Sequence, residues 1–276
     1  MAEKIKACFL HRRNKVGYLM AKLELTFLGT GTSSGVPVIG CDCEVCRSQD
    51  PKDYRLRPSI LLRTEQICLI VDTPPDFRAQ CLRANIRSMD AVLYTHAHSD
   101  HILGFDDLCH FLKFKNSDTP IYGVSETLTG IKRMFFYAFR EAGNQARPHL
   151  REIHGEFNLG DLRIVPVDLP HGLFTTAGFV FYHAGRKALA YYTDCSTVPS
   201  RAEGAARGVE VLVVGALRYT SHPTHLTVQG ALRVAKHLSS RTCYFTHMGH
   251  ELKYEQIRSS LPSRVFPAYD GLQVQI

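Results

Sequence analysis

The sequence predicts an α/β fold in which β-sheets pack on one another and carry helices on their outer sides. Two observations predict it. Apolar, β-rich runs recur at 23–28, 59–62, 67–71, 91–95, 162–167, 178–182, 188–193, 209–214 and 243–246, with helical patterns near 77–84, 103–114, 126–140, 228–238 and 254–260. The polar residues that could do chemistry, Asp72, His96 to His101, His171, Asp194 and His247, stand just after strands, where rigid scaffold meets loop.

The first run opens the domain. Leu23, Leu25 and Phe27 alternate with Lys22, Glu24 and Thr26, the period of a half-buried strand. Residues 1–20 read as a basic flexible extension ahead of it, ending at a second methionine, Met20. From 21 to 276 no repeat, low-complexity tract or linker interrupts the chain, so one compact domain is expected. No apolar stretch reaches the roughly 18 residues that a membrane-spanning helix needs. The aromatic run from Phe135 to Phe139 is expected to pack inside a helix rather than form a lid.

The formal charge is +7, and five bases against one acid in residues 1–20 supply +4 of it. The remaining +3 suits a small anionic substrate and is too scattered for a polynucleotide track. Nine cysteines, an odd number with three inside six residues, argue against a disulfide framework, as does the lack of an apolar core for a secretory signal. A cytoplasmic setting with reduced thiols is expected. Six of the nine, Cys8, Cys68, Cys81, Cys109, Cys195 and Cys243, sit in apolar contexts and are expected in the core or as neutral bystanders.

After the run 91–95 comes His96-Ala97-His98-Ser99-Asp100-His101. Four metal-capable side chains in six residues cannot be buried without partners, because each unpaired buried polar group costs roughly 1 to 3 kcal/mol. Neutral imidazoles and a carboxylate suit zinc, manganese or iron. His96 and His98 can point to one ion from an extended loop, while Asp100 and His101, entering a helix, turn to a second. The plainer alternative is a solvated His-rich turn with Asp100 as an N-terminal charge.

This run resembles the signature of the metallo-β-lactamase superfamily. The resemblance implies an α/β (α+β) chain folded as a four-layer αββα sandwich, and it implies later ligands at His171, Asp194 and His247. His96, His98 and His171 would hold one ion, Asp100, His101 and His247 the other, and Asp194 would bridge them. Asp72 matches the family's supporting carboxylate, which orients a ligand from behind. Its plainer reading is a turn residue before Pro74.

The cluster Cys41-Asp42-Cys43-Glu44-Val45-Cys46 follows a glycine-rich stretch. Gly29, Gly31 and Gly35 lack the Gly-Lys-Ser/Thr of a phosphate loop and read as a tight strand exit. Three thiols this close would bind a soft divalent ion such as zinc as thiolates, with a fourth ligand from elsewhere. Combined with the late Thr246-His247-Met248-Gly249-His250, the cluster is similar to the branch that contains the cyclic ribose-phosphate phosphodiesterase of the carbon-phosphorus lyase pathway. That likeness implies that His250 closes a structural zinc site with Cys41, Cys43 and Cys46.

The function implied is a dinuclear hydrolase, with zinc or manganese, cleaving a small cyclic or nucleotide-like phosphodiester. Two nearby ions can activate water at neutral pH and neutralise charge on a phosphoryl group. The branch places a histidine that protonates the leaving alkoxide where His225 stands, and His222 competes for that role. A transfer-RNA 3′-processing nuclease ranks second, because this sequence lacks a long basic insertion to grip RNA. A non-catalytic accessory protein on the same fold ranks third. A homodimer is compatible with the sequence.

Overall fold

Strand-forming runs alternate with turns until 14 strands form two sheets, in a computed structural model that describes residues 22–140 and 148–276. The extension expected at 1–20 lies outside the described residues. The strands are β1 (Glu24–Gly29), β2 (Ser59–Arg63), β3 (Cys68–Val71), β4 (Ala91–Leu93), β5 (Pro120–Gly123), β6 (His149–Glu152) and β7 (Phe157–Leu159). There follow β8 (Leu162–His171), β9 (Phe174–His183), β10 (Arg186–Tyr192), β11 (Val211–Gly215), β12 (Thr242–Thr246), β13 (Val265–Pro267) and β14 (Gln273–Gln275). One sheet runs β14-β1-β2-β3-β4-β5-β6 and the other β13-β12-β11-β10-β9-β8-β7.

Both sheets are mixed. The strands β1, β2 and β3 pair antiparallel, and β3 to β6 run parallel. In the second sheet β8 and β9 form a long antiparallel hairpin, while β10 to β13 run parallel. Parallel strands need crossovers, and helices supply several of them. The helices are α1 (Phe77–Arg83), α2 (Ser99–Ile102), α3 (Phe105–Lys115), α4 (Ser125–Met134), α5 (Ser200–Ala206), α6 (Val228–Leu238) and α7 (Tyr254–Ser260).

Three apolar layers explain why so many strands read as unbroken hydrophobic runs. Leu69 and Val71 of β3 face the other sheet, in a core shared with Phe27, Leu93, Phe179, Tyr191 and Val213. Ile70 between them faces outward onto Phe77, Phe105 and Leu108 of α1 and α3. In the second sheet Leu212 and Val214 turn outward to Ala202, Ala231, Leu238 and Ile257 of α5, α6 and α7. A strand covered on both faces loses its alternation. The result is the helix–sheet–sheet–helix sandwich expected from the sequence.

The structure corrects several boundaries. The strand expected at 91–95 ends at Leu93, and β8 and β9 extend to His171 and back from Phe174, well past the expected 167 and 178. The helix expected at 103–114 is two: α2 begins inside the histidine run, Gly104 breaks it, and α3 follows. The pattern at 126–140 becomes α4 and a short 3-10 turn at Phe136–Phe139. Phe135 is buried and Phe139 packs beside Phe105, as expected, but Phe136 and Tyr137 stand half exposed. Cys68 and Cys81 are half-buried rather than core, whereas Cys109, Cys195 and Cys243 are buried, and Cys8 lies outside the described residues.

The break at Gly104 positions the site. Its N–H donates to the Thr73 carbonyl at 2.9 Å, and Thr73 N–H donates to His101 O at 2.9 Å, so the turn carrying Asp100 and His101 is laced to the end of β3. A Cβ on Gly104 would stand 2.3 Å from Pro74 O and 2.5 Å from Phe77 Cβ. Backbone on one side and helix α1 on the other leave no room for a methyl. Gly104→Ala is therefore expected to destabilise the fold by about 1–3 kcal/mol, read as a lower urea midpoint with an unchanged slope.

Candidate metal centre

The ends of β3, β4, β8, β10 and β12 meet at one edge of the sandwich, and each delivers a polar residue there. Asp72 follows β3, the histidine run follows β4, His171 ends β8, Asp194 follows β10 and His247 follows β12. Six of the seven expected ligands are buried, and His98 alone is partly exposed.

The liganding atoms fall into two groups around a shared oxygen. His96 Nε2 lies 3.0 Å from His98 Nδ1, which lies 3.3 Å from His171 Nε2. His247 Nε2 lies 3.3 Å from Asp100 Oδ2, and His101 Nε2 lies 3.5 Å from the same oxygen. Asp194 Oδ2 stands between the groups, 3.2 Å from His101 Nε2, 3.3 Å from His247 Nε2, 3.6 Å from His96 Nε2 and 4.0 Å from His171 Nε2. Ligand bonds of about 2.0–2.1 Å around a tetrahedral ion put neighbouring ligand atoms roughly 3.3 Å apart. The observed spacings centre on that value.

Hydrogen bonds behind the ligands fix which nitrogen faces inward. Asp72 accepts from Thr95 N–H and from Thr95 Oγ1, both at 2.8 Å, and its Oδ2 lies 2.7 Å from His101 Nδ1. An acceptor-only carboxylate makes Nδ1 the donor, which leaves Nε2 of His101 as a bare lone pair. Thr95, having spent its proton on Asp72, accepts from His96 Nδ1 at 3.0 Å, so His96 Nε2 is bare as well. His171 Nδ1 donates to the Thr224 carbonyl at 2.9 Å, with the same consequence for its Nε2. Thr193 Oγ1 holds Asp194 Oδ1 at 2.8 Å and turns Oδ2 inward.

Several lone pairs thus converge in a buried space, an arrangement that repels itself unless positive charge lies between them. Among the described residues, His101 Nε2 makes no hydrogen bond although buried. Burial alone would keep His101 neutral, yet Asp194, Asp100 and Asp72 push its pKa well up, and against the same burial Asp194 and Asp100 raise that of His247. Burial opposes ionisation of Asp194, but His247 and His101 pull its carboxyl well below the usual range. His96, pressed by burial and by His101, is held well down. A site that draws protons onto two imidazoles is a site that accepts cations, and the donor set fits divalent ions. Asp72 and His247 also hold left-handed backbone, φ 64° and 55°, a strain of roughly 1 kcal/mol or more each that concentrates at such centres.

The thiol cluster forms a second group. Cys41, Cys43 and Cys46 place Sγ at 3.3, 3.6 and 3.6 Å from His250 Nδ1. A tetrahedral ion with sulfur at about 2.3 Å and nitrogen at about 2.05 Å separates such atoms by about 3.6 Å. The Cys46 backbone N–H, helped by the neighbouring thiols and His250, brings the Cys43 thiol down to about 7. Buried Arg55 pins the loop that carries His250, donating to the Gly249 carbonyl at 2.9 Å and to Leu252 O, with Asp53 as its ion-pair partner at 3.1 Å.

His225 packs between the two ligand groups, its ring centroid 4.7 Å from His171 and stacked at 4.7 Å on His247. Burial and the adjacent His247 push its pKa down to about 3. His222 lies one layer out, 5.1 Å from His225, with its Nδ1 accepting from Thr224 N–H. The seven expected ligands, Asp72 and His225 are therefore brought together at one centre, Cys41, Cys43, Cys46 and His250 form a group of their own, and His222 stands back. Thr95, Thr193, Thr224 and the Asp53–Arg55 pair were not anticipated. Adjacency to His96 and Asp194 was the available signal for the first two, and the Arg55 clamp had none.

The sequence profile of the beta-lactamase superfamily domain matches residues 68–248, which include Asp72 and all seven expected ligands. A crystal structure described as a new diphosphatase from the PhnP family superposes with a TM-score of 0.86 at 37% identity, covering 92% of this chain and 97% of that one. The chain belongs to the metallo-β-lactamase superfamily and, within it, to the PhnP family. It is also 33% identical over 261 residues to an octanoyltransferase of Porphyromonas gingivalis, covering 92% of this chain and 52% of that protein. A ribonuclease Z of Methanococcus maripaludis is 28% identical over 116 residues, 41% of this chain and 32% of that protein. The chain thus spans about half the length of the first of these curated relatives and about a third of the second.

The fold and the buried His/Asp cluster together imply divalent metal binding. Asp72 tests the orienting network directly. Asp72→Asn is expected to weaken active-site metal binding by about 10- to 100-fold, measured by chelator competition on the folded protein.

Proposed function

We propose that the protein is a divalent-metal hydrolase that cleaves a small cyclic or nucleotide-like phosphodiester. The observation that carries the reading is Asp194 Oδ2 within 3.2–4.0 Å of four inward-facing imidazole nitrogens, a shared oxygen between two ligand groups. His96, His98 and His171 would hold one ion, Asp100, His101 and His247 the second, and Asp194 both. Such ions lower the pKa of water and offset charge on phosphoryl oxygens. The diphosphatase described for the 37% identical relative supports phosphoryl chemistry here. The ribonuclease Z relatives favour RNA as the second reading, and an RNA diester belongs beside cyclic and nucleoside diesters in the assay panel. Hydrolysis of none of them by the zinc- or manganese-loaded protein removes the phosphodiesterase reading.

His225 is assigned the proton that the leaving oxygen needs. Its ring lies 4.7 Å from those of both His171 and His247, beside the centre where the leaving oxygen would form, and it would have to carry a proton in the substrate-bound state to deliver it. His225→Ala is expected to keep two active-site ions and lose about 10²- to 10⁴-fold in turnover. A rate equal to the parent protein's would transfer the role to His222 or to solvent.

The Cys41, Cys43, Cys46 and His250 group is assigned a structural zinc that ties the loop after β1 to the loop after β12. Cys43→Ser is expected to lose one equivalent of zinc and to lower the melting temperature, while the active-site equivalents stay bound. Elemental analysis and calorimetry on the same sample check both.

A further inference from the structure

We propose that Phe174 is a stacking platform for a planar base, so the substrate of this centre is a nucleoside phosphodiester rather than a base-free sugar phosphate. The proposal rests on the phosphodiesterase reading and narrows it. It begins from the way in. Six of the seven expected ligands are buried and His98 alone reaches solvent, so a diester approaches the centre past His98. Phe174 stands at that opening, its ring edge-on to His98 with centroids 5.2 Å apart and half of its surface exposed.

The backbone that carries the ring is held in place. Phe174 is the last rung of the β8–β9 ladder, paired with His171. The hairpin turns through Leu173, which is almost wholly exposed, and Gly172 at φ 65°. A Cβ on Gly172 would stand 2.6 Å from the Thr224 methyl, so the hairpin tip is pressed on the segment whose carbonyl receives His171. Leu173 and Phe174 together leave apolar surface open to solvent beside the opening, where a planar base can cover it. A phosphate at the centre carries its ribose a few bonds outward, and a base attached there falls over a ring beside His98. Stacking of a base on an aromatic side chain is worth about 5- to 150-fold in binding. A sugar without a base gains none of it.

The test is the ratio of kcat/KM for a nucleoside 2′,3′-cyclic phosphate to that for a base-free ribose cyclic phosphate. Phe174→Leu keeps apolar bulk against His98 and removes the π-face, so the fold has no reason to fail. The ratio is expected to fall about tenfold in Phe174→Leu, through KM, and to be retained in Phe174→Tyr. An unchanged ratio in Phe174→Leu, or equal losses on both diesters, overturns the proposal and leaves the ring as mere support for His98. If the parent protein hydrolyses neither diester, the phosphodiesterase reading fails by itself, and binding then decides the platform. Adenosine monophosphate binding about tenfold tighter than ribose 5-phosphate to the metal-loaded protein, with the gap lost in Phe174→Leu, sustains it, and equal binding ends it.

Discussion

Lone pairs forced to face one another are the constraint on which this structure turns. Four inward nitrogens and the oxygens of Asp100 and Asp194 stand 3 to 4 Å apart in a buried space. In a low-dielectric setting such a cluster is stable only around positive charge, whether protons on His101 and His247 or divalent ions. The hydrogen bonds that Asp72, Thr95 and Thr224 accept and the one that Thr193 donates commit the outer atoms of the ligands, so the inner ones have nothing else to bind. Metal affinity here is a property of the supporting network as much as of the ligands.

That network depends on the layers beneath it. The strands β3, β4 and β10 to β12 are parallel within their sheets, which brings their C-terminal ends to one edge. Their apolar runs, covered on both faces, hold those ends rigid to the last residue before the loop. The two sheets are also joined at the site itself, where Ala177 of β9 donates to the Thr95 carbonyl at 2.9 Å. A shift of one sheet against the other would separate His171 and Asp194 from the histidine run, so packing between the sheets and geometry of the centre are one problem.

The far side of the centre is stabilised by different means. The loop from His247 to Leu252 is anchored by Met248 and Leu252, both buried in the core, and polar contacts add to them: Met248 N–H to Thr30 O at 2.9 Å, the buried Arg55 guanidinium, and the thiol group closing on His250. Arg55 is buried with Asp53 beside it, and removing either would leave an uncompensated charge. The segment after β1 thereby supports a ligand more than 190 residues away in sequence.

The sequence alone determined the periodicities that make strands and helices, the run His96-Ala97-His98-Ser99-Asp100-His101, and the thiol cluster, because these are local patterns with local physical causes. The helices at Val228–Leu238 and Tyr254–Ser260 could be read to the residue, since each carries its own apolar stripe. The short edge strands β7, β13 and β14 could not, because so short a segment without a continuous buried apolar run has no pattern to detect and is extended only by its single neighbour. His171, Asp194 and His247 stand out in the sequence only by following strand-like runs, a family likeness is what marks them as ligands, and only tertiary structure brings them to one centre. The Asp53–Arg55 clamp, the tautomers set by Thr95 and Thr224, and the placement of Phe174 at the opening belong to tertiary structure entirely. Each depends on distances between segments remote in the chain, and no spacing along a sequence encodes a distance across a fold.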